Sequence, residues 1–492
     1  MASTTWIPKP SDYLAALQDQ NPWEKLGRVP QELAKPMRRP LAAMLWRTMH
    51  GPLRRYQVVL GPRRVGKTVA MYQTIDQLIK NGVSSNRLWF LRLDHPLLMH
   101  YHLGGWAKSL IRTYHGTADS PLFLFLDEVN YSESWDKWLK TFYDENWPLR
   151  IMATSSSTAA LRNRTMESGI GRWSEQFLTP YTFTEFLGLR GDPIEASESS
   201  RDFLETLRST IERREDLSRT TNLLRLFLLV GGFPELLGAL VEDDVERGLL
   251  RSQQVLRSEA VQRVAGMDIP QVFDIKHPLM LERLLYILAG QMCGLMNVSA
   301  LAADLQLNRQ TIHTYVDYLQ QAFLIFALPN YSTSEESIQR KGRKVYFVDG
   351  AVRNAALQRG LAPMHDAHEW GFLIENTVAS HLYGLSLQSG GRLFHWRDGN
   401  DEVDFIYSAS DNPVAFEVAK RTHGLDGLRA LQSRYPRLRN RCFLISGELQ
   451  EFRLPEDDPD GVGRVPLASF LAAVGQQTMT ALTTRLGVSD AT

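Results

Sequence analysis

The chain has 492 residues, enough for about three domains. Its 43% apolar and 22% charged residues are ordinary for a globular protein and exclude a low-complexity or collagen-like chain. The 55 basic and 55 acidic residues cancel, so whole-molecule charge singles out no nucleic-acid or membrane partner.

Residues 1–34 read as an N-terminal extension, and "MASTTWIPKP" lacks the charged-then-apolar pattern of a signal peptide. No apolar run approaches the roughly 18 residues of a spanning helix, so a cytoplasmic protein without membrane segments is expected. From Arg28 to Thr68 there are ten basic residues and one acid, Glu32. Such a run attracts phosphates or forms a solvated basic face. The two cysteines, Cys293 and Cys442, lack metal-site partners at close spacing and read as buried thiols in a reducing compartment.

"RYQVVLGPRRVGKTVAMYQTIDQLIKNG" contains G-x-x-x-x-G-K-[ST], at Gly61, Gly66, Lys67 and Thr68. Residues 56–60 predict a short buried strand. Residues 67–80 predict a helix with apolar Val69, Ala70, Ile75, Leu78 and Ile79, ending at Asn81-Gly82. Strand, glycine loop and helix N-terminus make an anion cradle from Gly61, Pro62, Arg63, Arg64, Val65, Gly66, Lys67, Thr68 and Val69. Lys67 is expected to reach the β- and γ-phosphates of ATP, and the Thr68 hydroxyl to ligate Mg²⁺.

"PLFLFLDEVN" supplies a buried strand ending in acids. Leu122–Leu126 is apolar on both faces, as in a central parallel strand. Asp127 then lies at the strand's C-terminal end, where it serves Mg²⁺, and Glu128 orients and deprotonates the attacking water. A helix N-cap pair is the plainer reading of these two acids. A third strand, "PLRIMATSSS", ends in Thr154 and Ser156, hydroxyls suited to a γ-phosphate or the water. Arg172 stands just before an apparent strand over 175–180, where it reaches a γ-phosphate or is a surface arginine. His95, His100, His102 and His115 lack acidic or cysteine partners at ligand spacing, so no metal site is assigned to them.

These stretches, with "GIGRW…LTPYTFTEFL" and "GGFPELL" (231–237), resemble a family of prokaryotic AAA-superfamily ATPases over roughly residues 35–450. In that family the ATPase core precedes a helical lid, a winged helix and a C-terminal domain of unsettled function. The resemblance implies ATP as ligand. It also implies the roles given above for Lys67, Asp127, Glu128 and Arg172, with an active site completed between subunits of a homo-oligomer; Thr154 is a further catalytic candidate from the third strand.

Residues 190–225 are charged and helix-like, with Leu204, Leu207 and Ile211 on one face, and read as part of the lid. "NVSALAADLQLNRQTIHTYVDYLQQAFLIFALPNY" reads as a helix-turn-helix followed by a wing, with Ser299 capping the first helix. The second helix offers Arg309, Gln310, His313 and Thr314 to base edges or phosphates. "IQRKGRKVYFVD" adds Arg340, Lys341, Arg343 and Lys344 as phosphate contacts. A winged helix that packs against protein, with a merely solvated basic wing, is the competing reading.

"WGFLIENTVASHLY" places Glu375 on a helix, "LFHWRDGNDEVDFIYS" forms a hairpin carrying Asp404, and "PVAFEVAK" carries Glu417 and Lys420. That order resembles the PD-(D/E)xK nuclease fold, in which the carboxylates hold Mg²⁺ and a lysine positions the attacking water. The nuclease pattern spaces Glu and Lys two apart, on one strand face. Here they are three apart, and Ala419 takes the lysine's expected place. Either a bulge returns Lys420 to the site, or the site lacks its amine.

The expected architecture is α/β and multidomain. It comprises an AAA-type ATPase core (35–187), a helical lid (188–275), a winged helix (276–335), a nuclease-like α/β domain (336–472) and a tail (473–492). The expected function is Mg²⁺-dependent ATP hydrolysis coupled to action on DNA. The alternative is an ATP-controlled protein-interaction switch with an inert nuclease-like domain.

Overall fold

The computed structural model describes residues 10–98, 102–158, 171–191, 202–213, 220–239, 244–273, 275, 277–419, 425–447 and 451–486. The chain divides into two compact units, 1–61 with 66–178 and 62–65 with 179–492.

The first unit is built on strands β1 (Tyr56–Leu60), β2 (Leu88–Arg92), β3 (Leu122–Asp127), β4 (Leu149–Ser155) and β5 (Trp173–Phe177). They form one sheet in the order β2-β3-β4-β1-β5, and every neighbouring pair is parallel. All six residues of β3 are buried, as a strand covered by helices on both faces requires. The N-terminal extension is part of this unit. Trp23 is fully buried and donates its indole N–H to Leu88 O (2.9 Å), while Asn21 bonds Phe90 O (2.8 Å) and accepts from Phe90 N–H (2.6 Å). The extension thereby satisfies the backbone edge of β2, which would otherwise invite another strand.

The second unit begins with helices, among them Phe203–Arg213, whose Leu204, Leu207 and Ile211 are buried on one face as predicted. The helix-turn-helix follows, as Val298–Leu305 and Arg309–Gln321. Asn297, not Ser299, caps the first helix, accepting from Ala300 N–H at 3.0 Å. An Asx side chain one position before the helical dihedrals begin competes better for that N–H. In the place of the expected wing, β6 (Ile325–Leu328) pairs antiparallel with β7 (Lys344–Phe347).

The remaining strands are β8 (Arg392–Asp398), β9 (Asp401–Ala409), β10 (Asn412–Ala419), β11 (Cys442–Ser446) and β12 (Val462–Pro466). Their order is β12-β11-β10-β9-β8. The β8–β9–β10 part is antiparallel and the rest parallel. Helices Ala367–Ser389 and Leu467–Leu486 pack against each other beside this sheet.

Two expected boundaries change. A domain border at 335/336 would separate β6 from β7, since the wing's second strand lies beyond it. The wing is also joined to the C-terminal sheet. Tyr331 N–H donates to His395 O (2.7 Å), and His395 N–H donates to Pro329 O (3.1 Å). The expected tail is helical to Leu486, because Leu471, Val474 and Leu482 are buried on a face that continues past residue 472. Both cysteines are free and buried.

The Gly231-Gly232 pair has a steric origin. A Cβ on Gly232 would lie 2.3 Å from Tyr181 O, and one on Gly231 1.9 Å from Asp349 Oδ1. Asp349 accepts from the N–H groups of Gly232 (2.8 Å) and Ala351 (2.7 Å). Burial pushes its pKa up to about 6 in spite of those donors. Gly232→Ala is expected to destabilise the protein by about 1–3 kcal/mol through overpacking. A drop in the urea midpoint at unchanged slope would register it.

Candidate functional site

β1 ends at Leu60, and the chain turns through Gly61–Val65 into the helix Lys67–Lys80. Arg64 (φ 66°) and Gly66 (φ 96°) are both left-handed, which curls successive N–H groups around one concavity. Gly66 precedes the helix without a side-chain cap, leaving the first helical N–H groups for an anion. The Arg63 and Arg64 side chains pair with Asp268 (3.1 Å) and Glu259 (3.6 Å), so these residues contribute backbone to the cradle. Lys67 is 5% exposed, with Nζ 3.0 Å from Gly61 O and 3.9 Å from Glu128 Oε1.

Asp127, at the end of β3, holds the middle of the site. It accepts from the Thr68 hydroxyl at 2.9 Å through Oδ2 and from the Thr154 hydroxyl at 2.5 Å through Oδ1. Burial raises its pKa to about 6, and the Glu128 charge adds to the rise. The Thr68 hydroxyl and Asp127 carboxylate are adjacent hard oxygens, a donor pair that fits Mg²⁺. The helix N-cap reading of the acids does not hold. Asp127 bonds Thr68 and Thr154, and Glu128 bonds Ser156.

Glu128 has φ 53°, a strained conformation for a non-glycine residue. Its N–H donates to Thr154 Oγ1 (3.1 Å), and its Oε2 accepts from the Ser156 hydroxyl (2.9 Å). Thr154 is fully buried with its hydroxyl between Asp127 and Glu128. Its hydroxyl thus links the two acids.

Arg172 lies elsewhere. It immediately precedes β5, which runs parallel to β1 with Tyr56 opposite Trp173 and Leu60 opposite Phe177. The glycine loop leaves the far end of β1, roughly 16 Å away at about 3.3 Å per residue. Arg172 is also fork-bonded to Asp144, with Nε–Oδ1 2.7 Å and Nη2–Oδ2 3.0 Å. The topology thus places Arg172 at the opposite end of β1 from the glycine loop.

In the second unit, Glu375, Asp404 and Glu417 do converge. Asp404 on β9 and Glu417 on β10 face each other, linked by Asp404 N–H to Glu417 Oε2 (3.2 Å) and Val418 N–H to Asp404 Oδ2 (3.0 Å). Glu375 projects from the helix Ala367–Ser389. Lys420 lies outside the described residues. The ammonium that reaches the carboxylates is Lys344, from β7 of the wing, which the sequence assigned to a phosphate contact. Lys344 is 5% exposed, so it is not part of the wing's surface. Its Nζ is 3.1 Å from Asp404 Oδ1 and 3.4 Å from Glu375 Oε1, and it pairs with Glu402. The Tyr346 hydroxyl donates to Glu375 Oε1 (2.9 Å).

Burial and the nearby Asp404 charge raise Glu375 to about 8 and Glu417 to about 9, while the three acids around Lys344 hold its pKa well above the usual lysine range. Lys344 and Tyr346, two apart on one strand face, were the available signal in "KVYF". Among the described residues, no group of three or more His, Cys, Asp or Glu is placed to hold a metal ion.

The remaining winged-helix residues are at the surface. Arg309, His313, Arg340 and Lys341 are exposed and Arg343 half-exposed. His313, Arg340, Lys341 and Arg343 line one groove of about 400 Å³ between the second helix and the wing.

Residues 53–187 match a family model described as an AAA domain, and the first unit's sheet carries an AAA-type P-loop core. Residues 221–362 and 370–470 match two domains of unknown function, DUF8612 and DUF4143. An uncharacterized protein of Haemophilus influenzae is 23% identical over 432 residues, covering 84% of this chain and 94% of its own. Uncharacterized protein MJ1544 of Methanocaldococcus jannaschii is 26% identical over 362 residues, 71% of each chain. Among solved structures, the Aeropyrum pernix ORC1 protein in complex with DNA aligns at 12% identity and TM-score 0.31, over 70% of this chain and 98% of that one. AMPPCP-bound DnaA from Aquifex aeolicus aligns at 14% identity and TM-score 0.25, over 59% and 92%. No described helix is long and apolar enough to cross a membrane.

Proposed function

We propose that the protein is an Mg²⁺-dependent ATPase that uses its hydrolysis cycle to act on DNA through the winged helix. The observation that carries this reading is the convergence of Lys67, Thr68, Asp127 and Glu128 beside the left-handed loop. The loop N–H groups bind the phosphates, and Lys67 places its charge on the β- and γ-oxygens. Thr68 and Asp127 would hold Mg²⁺, which when bound would supply neutralisation of the charge that develops in phosphoryl transfer. Glu128, steadied by Ser156, orients the attacking water and takes its proton. Arg172 cannot serve its own loop, so this reading assigns it to the nucleotide of a neighbouring copy in a homo-oligomer.

Lys67→Ala tests the core of the proposal. ATP affinity is expected to fall about 10–100-fold, matching a charged hydrogen bond of about 1.5–3 kcal/mol. Unchanged binding and turnover, measured by titration calorimetry and phosphate release, would refute it.

Arg309, Arg340, Lys341 and Arg343 support the DNA contact. Duplex binding is expected to weaken steeply with salt. Lys341→Ala should lower the slope of log K against log [salt] by about 1 without changing sequence preference. A second reading, an ATP-controlled protein-interaction switch, is favoured by one observation, the lysine inside the nuclease-like carboxylate cluster. Hydrolysis indifferent to DNA would select it.

A further inference from the structure

We propose that Lys344 is the resident cation of the C-terminal carboxylate cluster, a built-in plug whose ammonium takes the place a nuclease-like site would give to a divalent metal. The number of donors matches the number of acids. A lysine ammonium has three N–H donors, and Glu375, Glu402 and Asp404 surround this one. The spacing suits an amine. Distances of 3.1 and 3.4 Å from Nζ to Asp404 and Glu375 are hydrogen-bond and ion-pair lengths. Mg²⁺ and Ca²⁺ would draw the same oxygens to about 2.0–2.6 Å. Further donors serve the cluster: Asp404 Oδ2 accepts from Val418 N–H, Glu417 Oε2 from Asp404 N–H, and Glu375 Oε1, the oxygen that faces Lys344, also from the Tyr346 hydroxyl.

The plug is mounted on a fixed strand. Lys344 pairs with Leu328 across the wing. Asn376, fully buried, clamps Phe347 by accepting its N–H (2.8 Å) and donating to its carbonyl (3.1 Å). On the other side, Cys293 N–H bonds Val345 O (3.0 Å), and Val345 N–H bonds Gly294 O (3.1 Å). The backbone around Lys344 is therefore held from three directions, and withdrawing the ammonium would leave buried Asp404 and half-buried Glu375, Glu402 and Glu417 facing one another. One ammonium does not balance all the nearby carboxyls, and the raised pKa values of Glu375 and Glu417 supply the remaining neutralisation with protons. Those residues do not fit a divalent cation while Lys344 stays in place.

The test is Mn²⁺ binding to the full-length, nucleotide-free protein, followed by the electron paramagnetic resonance signal of free Mn²⁺. Wild type and Asp404→Asn are expected to bind the same number of ions per chain. Lys344→Met is expected to bind one more, and Lys344→Met combined with Asp404→Asn to lose it again. A wild-type site that Asp404→Asn removes would overturn the proposal, as would a folded Lys344→Met protein that gains no ion. If Lys344→Met fails to fold, the wild-type and Asp404→Asn pair decides alone. Equal stoichiometry supports the plug and a difference of one refutes it. Neither result depends on ATP hydrolysis or DNA binding.

Discussion

A Glu128→Gln protein is expected to bind ATP as wild type does and to hydrolyse it on the order of 10²–10⁴ times more slowly. The amide has nearly the shape of the carboxylate, so the Ser156 contact at 2.9 Å can persist through the retained oxygen. What disappears is the base that receives the water's proton. The strained φ of 53° at this position makes the contrast sharper, because the backbone conformation is imposed by Thr154 and by neighbouring strands that the substitution leaves alone. Single-turnover phosphate release, with binding measured in parallel, separates the effects. A loss confined to binding would mean that Glu128 is structural. Equal turnover would remove it from the chemistry.

Lys344→Met is expected to cost about 3–5 kcal/mol of stability, the range for removing one partner of a buried ion pair. The loss should grow with pH. Glu375 and Glu417 have folded pKa values raised to about 8 and about 9 from an ordinary 4.5. A raised carboxyl binds more protons folded than unfolded, so its effect on stability is most favourable below about pH 4.5 and worsens as pH rises towards the folded value. Lys344 limits that worsening, because its own raised pKa keeps it charged throughout. The groups facing it are Glu375, Glu402, Asp404, Glu417, Tyr346 and Cys293, with His395 nearby. Without the ammonium, ionisation of these acids between pH 6 and 9 goes uncompensated. Urea unfolding at both pH values should show the wider gap between wild type and variant at pH 9. A constant gap would mean that Lys344 acts through packing alone.

Much of the first unit was legible because its chemistry is local. The glycine loop, Lys67 and Thr68 are contiguous, and β3 announces Asp127 by ending an unbroken apolar run. Thr154 was brought to the site, but its bonds to Asp127 and Glu128 were not foreseen, since they depend on strand neighbours that sequence does not order. The choice left open for Arg172, between its own nucleotide and a neighbour's, turns on a related point. In a parallel sheet the residue before a strand sits at the opposite end from the residue after its neighbour, a rule that needed only the parallel pairing of β1 and β5. In the second unit, the carboxylates fall on the helix and strands that their flanking patterns predicted. Among the described residues, their cation comes from outside the motif. Lys344 is 60 residues from Asp404, and no local period links them. The only hint was the alternation of Lys344 and Tyr346 on one strand face inside a segment dominated by exposed basic residues.

The strand β7 belongs to two modules at once. One edge completes the wing by pairing with β6, and its side chains wall the carboxylate cluster. A fragment that begins at residue 336 would still contain β7 but would leave it without its partner. One that ends at 335 would strip β6 of its mate. A crossover between β6 and β7 would likewise keep Lys344 with its acids but part its strand from β6. The strand β7 therefore couples the wing to the carboxylate cluster, and a cut between residues 328 and 344 leaves Lys344 on a strand without its antiparallel mate.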